Sequence, residues 1–212
     1  MDLKQFKKQP LLGILRGVEA DIVEPLIEEV AQTGLKAIEI TMNTPNASKL
    51  IEKAVKAADG KMDIGAGTVT SMYSMQEALG AGANFLVMPT LIISIVEYCI
   101  YNDIPVFPGA MTPKEVLDAW KAGATMVKIF PLKQLGPQYL KELKGPFDDI
   151  KLMACGGVTP GNIEEHFSCG ASAVAFGGSV FKKELLDNKD ISSIKDTVQQ
   201  YVDMTNAVFS EK

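Results

Sequence analysis

Lys128 lies in "ATMVKIFPL", residues 124–132, an apolar run with the marks of a buried strand. Desolvating an ammonium group there costs on the order of several kcal/mol unless something compensates. The chemistry that would use such a residue is attack on a carbonyl. An apolar pocket favours the neutral amine, which adds to a ketone and leaves an imine. A second ionisable residue stands in a similar place: Glu39, in the run "KAIEIT".

An internal repeat relates the two. Glycines 34, 82, 123 and 170 each close a helical stretch and lead into a strand, at spacings of 48, 41 and 47 residues, about two strand–helix units each. Five residues beyond them stand Glu39, Val87, Lys128 and Ala175. Eight β-rich runs alternate with periodic helical segments, and no Pro/Ser-rich linker divides residues 1–212. The pattern predicts a single (β/α)8 TIM-barrel domain. In such a barrel, alternate strands contribute layers of four inward side chains. Glu39 and Lys128 are then expected to share a layer with Val87 and Ala175. A structural ion pair is the plain alternative, and an acid/base partner for a Schiff-base lysine is the chemical one.

Barrel active sites gather at the C-terminal ends of the strands. There the sequence places Arg16 in "LRG", Thr41 and Asn43 in "EITMNTP", and Thr68 in "GAGTVT". Pro89, Pro108 and Pro131 directly follow the fourth, fifth and sixth predicted strands, with Phe130 beside the last. Gly156-Gly157 and Gly177-Gly178, the latter followed by Ser179, end the last two strands; bare backbone N–H groups there suit a phosphate, aided by a helix N-terminus. Arg16 suits a carboxylate. Cys155 reads as a small wall of the same pocket, without a partner histidine to make it a nucleophile.

The totals exclude several classes. The net charge is -5 with the charges dispersed, so no basic stripe points to nucleic acid or an anionic membrane. No stretch approaches 18 uncharged apolar residues, and the N-terminus lacks a small-residue cleavage site, which together predict a cytoplasmic protein. Three widely spaced cysteines read as reduced thiols, and His166, the sole histidine, reads as a surface or packing residue on a helix. A histidine-based metal centre is unsupported, so neither a metal nor another cofactor is expected.

The motifs "ILRG", "IEITMNTP", "IGAGTV", "FPGAMTP", "VKIFPLKQLGPQYLKELKGPF", "GGVTPGN" and "FGGS" follow one another from about residue 9 to residue 183. Together they resemble the 2-dehydro-3-deoxy-6-phosphogluconate / 4-hydroxy-2-oxoglutarate aldolase family. The resemblance implies a metal-independent class I aldolase that cleaves a 2-keto-3-deoxy-6-phospho sugar acid to pyruvate and glyceraldehyde 3-phosphate. It implies Lys128 as Schiff-base lysine, Glu39 as acid/base, Arg16 and Thr68 as carboxylate binders, the glycine turns with Ser179 as phosphate site, and a homotrimer. Gluconate-type members commonly carry arginine at the position of Asn43 and Pro-Thr before the glycines, where Ala154-Cys155 stand here. Asn43 and "LGPQY" are closer to the 6-phosphogalactonate branch. Other readings of the residues are a phosphate-binding barrel isomerase or epimerase, and a sugar-phosphate sensor in which Glu39 and Lys128 only pair.

Overall fold

A computed structural model describes residues 1–210. Nine short parallel strands alternate with helices: β1 (Leu11–Leu15), β2 (Ala37–Thr41), β3 (Asp63–Gly67), β4 (Leu86–Val87), β5 (Val106–Phe107), β6 (Gly109–Ala110), β7 (Val127–Ile129), β8 (Leu152–Cys155) and β9 (Ala173–Phe176). The strand order is β5-β4-β3-β2-β1-β9-β8-β7-β6. β5 and β6 are two halves of one barrel strand, which corrects the expectation that Pro108 follows it. Pro108 has no N–H to give the ladder, so the strand breaks there. Its carbonyl still accepts from the Lys128 N–H at 2.9 Å, and Thr125 N–H donates to Val106 at 3.0 Å. β5 pairs with β4 and β6 with β7, so the seam closes and the eight-stranded (β/α)8 barrel is complete.

Among the described residues, ten α-helices flank or cap the barrel: α1 (Leu3–Lys8), α2 (Val23–Gln32), α3 (Ala47–Ala58), α4 (Met72–Gly80), α5 (Ile93–Tyr101), α6 (Pro113–Lys121), α7 (Gln138–Lys144), α8 (Ile163–Ser168), α9 (Lys183–Asp187) and α10 (Ile191–Ser210). Local chemistry sets several starts. Thr112 and Glu115 form a reciprocal capping box with Pro113 at the first turn of α6, and Ser71 and Ser74 do the same for α4. Among the described residues, no helix is long and apolar enough to cross a membrane.

Each strand alternates between two cores. Leu11, Leu15, Ile38, Ile40, Val127, Ile129, Leu152, Ala154, Val174 and Phe176 face the helices. Leu12, Ala37, Phe85, Val87, Phe107, Met126, Met153, Cys155, Ala173 and Ala175 fill the barrel interior. The period of two is what sends Glu39 and Lys128 inward, between the outward-facing Ile38/Ile40 and Val127/Ile129.

The N-terminal end of the interior is plugged by α1, an element without an apolar stripe long enough to announce it. Asp2 caps it by accepting from the Lys4 and Gln5 N–H groups. Its Phe6 packs with the interior aromatics, ring centroids 6.2 Å from Phe107, which in turn meets Phe85 edge-on at 6.0 Å. Phe6→Ala is expected to destabilise the barrel by about 3–5 kcal/mol, the usual loss for a buried Phe. Urea unfolding followed by circular dichroism measures it, and a change under about 1 kcal/mol would mean that α1 is no part of the barrel core.

Candidate active site

Lys128 on β7 and Glu39 on β2 both lie in the barrel interior, 7% and 0% exposed. They do not form a direct ion pair: neither Glu39 oxygen has a hydrogen-bond partner among the described residues. Burial pushes the Glu39 carboxyl up from its ordinary value, and the nearby charges of Lys128 and then Arg16 only partly offset this. A buried carboxyl with open lone pairs is an unfinished network, and such groups in native folds call for an explanation.

The space for that carboxyl comes from β3. A Cβ on Gly67 would lie 2.1 Å from Glu39 Oε1, and one on Gly65 would lie 2.3 Å from the Phe85 ring. The pair in "IGAG" is thus a hole two residues deep on the inner face, filled by Phe85 below and the Glu39 carboxyl above. Next to it Thr68 holds φ 55°, a left-handed backbone unusual for a β-branched residue and worth roughly 1–3 kcal/mol of strain. Strain of this kind persists where surrounding structure over-determines it.

Around Lys128, Nζ lies 5.1 Å from the Phe130 ring centroid, within cation–π range, and the Phe130-Pro131 peptide is cis. Cys155 is buried beside it. Burial raises its thiol's pKa, with Lys128 pulling the other way. Protonated and without a histidine partner, it is a wall rather than a nucleophile.

Above these residues opens a cavity of about 900 Å³, lined by Arg16, Phe130, Cys155, Gly156, Gly157, Gly177, Gly178 and Ser179 from the sequence-derived set. Lys133 and Lys183 also line it, and no Asp or Glu does. Lys183 is tied to Asp187 at 2.7 Å. Gly156 and Gly157 hold φ 110° and 79°, and at 157 a Cβ would meet the Lys133 main chain at 3.2 Å. Both features require glycine. None of the Gly157, Gly178 and Ser179 N–H groups donates to a protein acceptor among the described residues. The short α9 starts only at Lys183, so turns rather than a helix N-terminus supply the bare N–H groups.

Asn43, Thr68 and Pro89 end β2, β3 and β4 on the other half of the same mouth, and do not line this cavity. Asn43 is exposed, whereas Thr44 is buried and accepts from the Gly17 N–H at 3.0 Å while meeting Thr41 Oγ1 at 3.1 Å. Thr41 and Thr44 therefore hold the turn that aims Arg16. Sequence reasoning missed Lys133 and Thr44; their spacing carries no motif, and only contact with the glycine turn and the Arg16 turn distinguishes them. His166 is 2% exposed, its Nδ1 2.8 Å from the Asn162 carbonyl, and it does not line this cavity. Among the described residues no three of His, Cys, Asp and Glu form a metal-binding group.

A parallel barrel with an inward lysine and carboxyl under a cation-lined mouth defines a (β/α)8 fold with a cationic pocket at the C-terminal ends of its strands. The chain belongs to the KDPG and KHG aldolase family, whose model matches residues 3–197. It is 34% identical over 176 residues to the 2-dehydro-3-deoxy-6-phosphogalactonate aldolase of Escherichia coli strain K12, covering 82% of this chain and 86% of that one. Similarity to the 2-dehydro-3-deoxy-phosphogluconate aldolase of Pseudomonas aeruginosa is 30% over 188 residues, 88% of this chain and 83% of the relative. Among solved structures, a native KDPGal structure superposes with TM-score 0.88 at 29% identity, covering 95% of this chain and 96% of that one. The KDPG aldolase of Legionella pneumophila, with pyruvate captured as a covalent carbinolamine, superposes with TM-score 0.84 at 26% identity over 93% of this chain and 96% of its own.

The raised Glu39 pKa has a consequence for stability independent of any activity. An unfolded glutamate ionises near its ordinary 4.5, whereas the buried one keeps its proton to higher pH. The native state then binds more protons than the unfolded state, so this group's contribution falls as pH rises from 4.5 to the folded value. Glu39→Gln removes the ionisation. Its stability relative to wild type is expected to increase across that window and level off above it, as read by urea unfolding at a series of pH values; a difference independent of pH would mean that Glu39 ionises as freely folded as unfolded.

Proposed function

We propose that the protein is a class I aldolase acting on 2-keto-3-deoxy-6-phospho sugar acids, with pyruvate and glyceraldehyde 3-phosphate as products. The observation that carries this reading is the inward, solvent-poor placement of Lys128 with Glu39, whose carboxyl has no hydrogen-bond partner among the described residues, in the same interior. The family assignment and the carbinolamine in the Legionella relative support it.

In the proposed cycle, the substrate carboxylate lies between Arg16 and the Thr68 turn, and its phosphate lies on the Gly156-Gly157 and Gly177-Gly178 turns with the Ser179 N–H. Asn43 and Pro89 shape the far rim. The Lys128 free amine adds to C2, and its proton passes to the oxygen, giving a carbinolamine. Protonated Glu39 supplies the second proton with which that oxygen leaves as water, and an iminium remains. Glu39, now a carboxylate, takes the C4 hydroxyl proton. The C3–C4 electron pair moves into the iminium, releasing the aldehyde and leaving an enamine. Protonation at C3 and hydrolysis return pyruvate and the amine. One carboxyl can serve both directions because burial keeps its proton while the charge formed on nitrogen stabilises its anion.

Lys133, standing over the Gly157 turn without a described ion-pair partner, adds to the cationic wall for the phosphate. No step calls for a metal, so the enzyme is assigned as metal-independent, and 4-hydroxy-2-oxoglutarate, which lacks the phosphate, is a poorer substrate giving pyruvate and glyoxylate. Asn43 and Cys155 favour the galactonate-type C4 configuration. A thiol is a weaker hydrogen-bonding group than the threonine hydroxyl that gluconate-type members place there. A cytoplasmic location fits the three unpaired, buried cysteines. The assembly is assigned as a homotrimer, and residues 1–212 as one barrel domain.

Borohydride reduction in the presence of pyruvate, followed by intact mass and peptide mapping, tests the reading. A pyruvate-sized adduct on Lys128 is expected, unaffected by EDTA. Lys128→Ala should keep its circular dichroism spectrum and lose at least about 10³-fold in kcat/KM, a nucleophile-sized loss. Pyruvate binding without an adduct at Lys128, or turnover by the alanine variant at wild-type rate, would move the assignment to an isomerase or a sensor. On the substrate side, kcat/KM is expected to be higher for the galactonate-type epimer than for the gluconate type. The reverse order in parallel assays would remove Asn43 and Cys155 as C4 determinants.

A further inference from the structure

The ladder between β8 and β9 ends at the Cys155–Ala175 pair. Beyond it the chain continues through Gly156-Gly157 on one side and, after Phe176, through Gly177-Gly178 on the other, and no backbone hydrogen bond joins residues 156–159 to residues 177–180 among the described residues. Each turn has its own local tie, Asn162 Nδ2 donating to the Gly157 carbonyl at 3.0 Å and the Val180 and Phe181 N–H groups donating to the Gly177 carbonyl at 2.9 Å. None of these bonds fixes one turn against the other, and glycine leaves each backbone few steric barriers. An anion site made of backbone N–H groups needs those vectors held, because a donor that must reorganise gives back much of what it gains.

What joins the turns comes from outside the barrel. Tyr201, on α10, is fully buried, and its phenol O–H donates to the Val158 carbonyl at 2.8 Å. Val158 immediately follows Gly156-Gly157. The Tyr201 oxygen also lies 2.9 Å from Ser179 Oγ, directly after Gly177-Gly178. Since a carbonyl can only accept, the phenol proton belongs to Val158. The Ser179 proton is then directed to the Tyr201 oxygen or to the Val158 carbonyl at 3.4 Å. In either case it points into the clamp, and what Ser179, a lining residue, leaves without a protein acceptor among the described residues is its backbone N–H. The phenol ring cannot swing away: it stacks on Phe176 at 4.3 Å and 24°.

We infer that Tyr201 is a positioning residue for the anion end of the site: its hydroxyl fastens the turn after β8 to the turn after β9, so that their free N–H groups converge on one tetrahedral oxyanion of phosphate type. Tyr201 touches neither Lys128 nor the cavity, so it acts through the two turns alone. The inference rests on the phosphate-end assignment proposed above.

The test compares wild type with Tyr201→Phe, which keeps the stacked ring and removes the hydroxyl. Inorganic phosphate is used as a competitor of the phosphorylated substrate, and the rate of borohydride trapping by pyruvate serves as a readout that needs no phosphate. The phosphate inhibition constant and the KM for the phosphorylated substrate are expected to rise about five- to tenfold, the scale of one positioning hydrogen bond, with kcat and the trapping rate within about twofold of wild type. Equal losses in trapping and in phosphate affinity would make Tyr201 a general structural residue and overturn the proposal. So would no change in either. Wild-type protein that traps pyruvate on Lys128 but is not inhibited by phosphate also overturns it, since there would be no anion site to position. Absence of the Lys128 adduct in wild type is a separate result, and counts against the aldolase reading itself.

Discussion

Placing a carboxyl and an amine inside a closed barrel without pairing them is the constraint to which the surrounding structure answers. A direct ion pair in the interior would satisfy both groups, but would leave nothing for a substrate to complete. Here the Glu39 oxygens have no hydrogen-bond partner among the described residues, and burial raises the carboxyl's pKa. This is costly in isolation, because unsatisfied buried polar atoms destabilise a fold. It is sustained by a wide apolar interior on one side, with Phe6, Phe85 and Phe107 filling the N-terminal half, and by the helix-facing core outside.

The glycines divide into two kinds by what they do for that arrangement. Gly65 and Gly67 remove volume at successive inward positions of β3, so that Phe85 and the Glu39 carboxyl can occupy it. Gly109 does the same on the broken fifth strand, where a Cβ would meet the Pro89 carbonyl at 2.2 Å. Gly156 and Gly157 instead supply backbone conformations that side chains rarely adopt. The first kind shapes the interior by absence; the second bares N–H groups at the mouth.

Much of this was legible because strand period and barrel layering are geometric rules that act on residue type alone. The recurrence of a glycine five residues before Glu39, Val87, Lys128 and Ala175 is enough to orient all four inward once a parallel barrel is granted. Other features depend on contacts between elements far apart in sequence. "IGAG" reads as a strand ending in a turn until Glu39 is seen filling it. α1 is six residues long, with one buried side chain, so periodicity has nothing to register. Pro108 looks like a strand terminator because its missing N–H is local, whereas the pairing of the two halves with different neighbours is not. The contact of Ser179 with Tyr201, 22 residues later, likewise cannot be placed from spacing.

The division of labour between barrel and turns has a physical reason. The two groups that the proposed cycle uses at the ketone stand on strands, whose ladders fix them from both sides: Lys128 between Gly109 and Met153, Glu39 between Ile14 and Gly65. A phosphate is larger, symmetric and reached by several donors, so flexible turns can serve it provided that something limits their motion. The ladders cannot do this, since extending them would consume the very N–H groups that the proposed anion site needs. A side chain arriving from a helix can, by binding a carbonyl and a hydroxyl and leaving the N–H groups free. The Tyr201 contact to Val158 and Ser179 meets that requirement, and it draws α10, otherwise an outer layer of packing, into the geometry of the mouth.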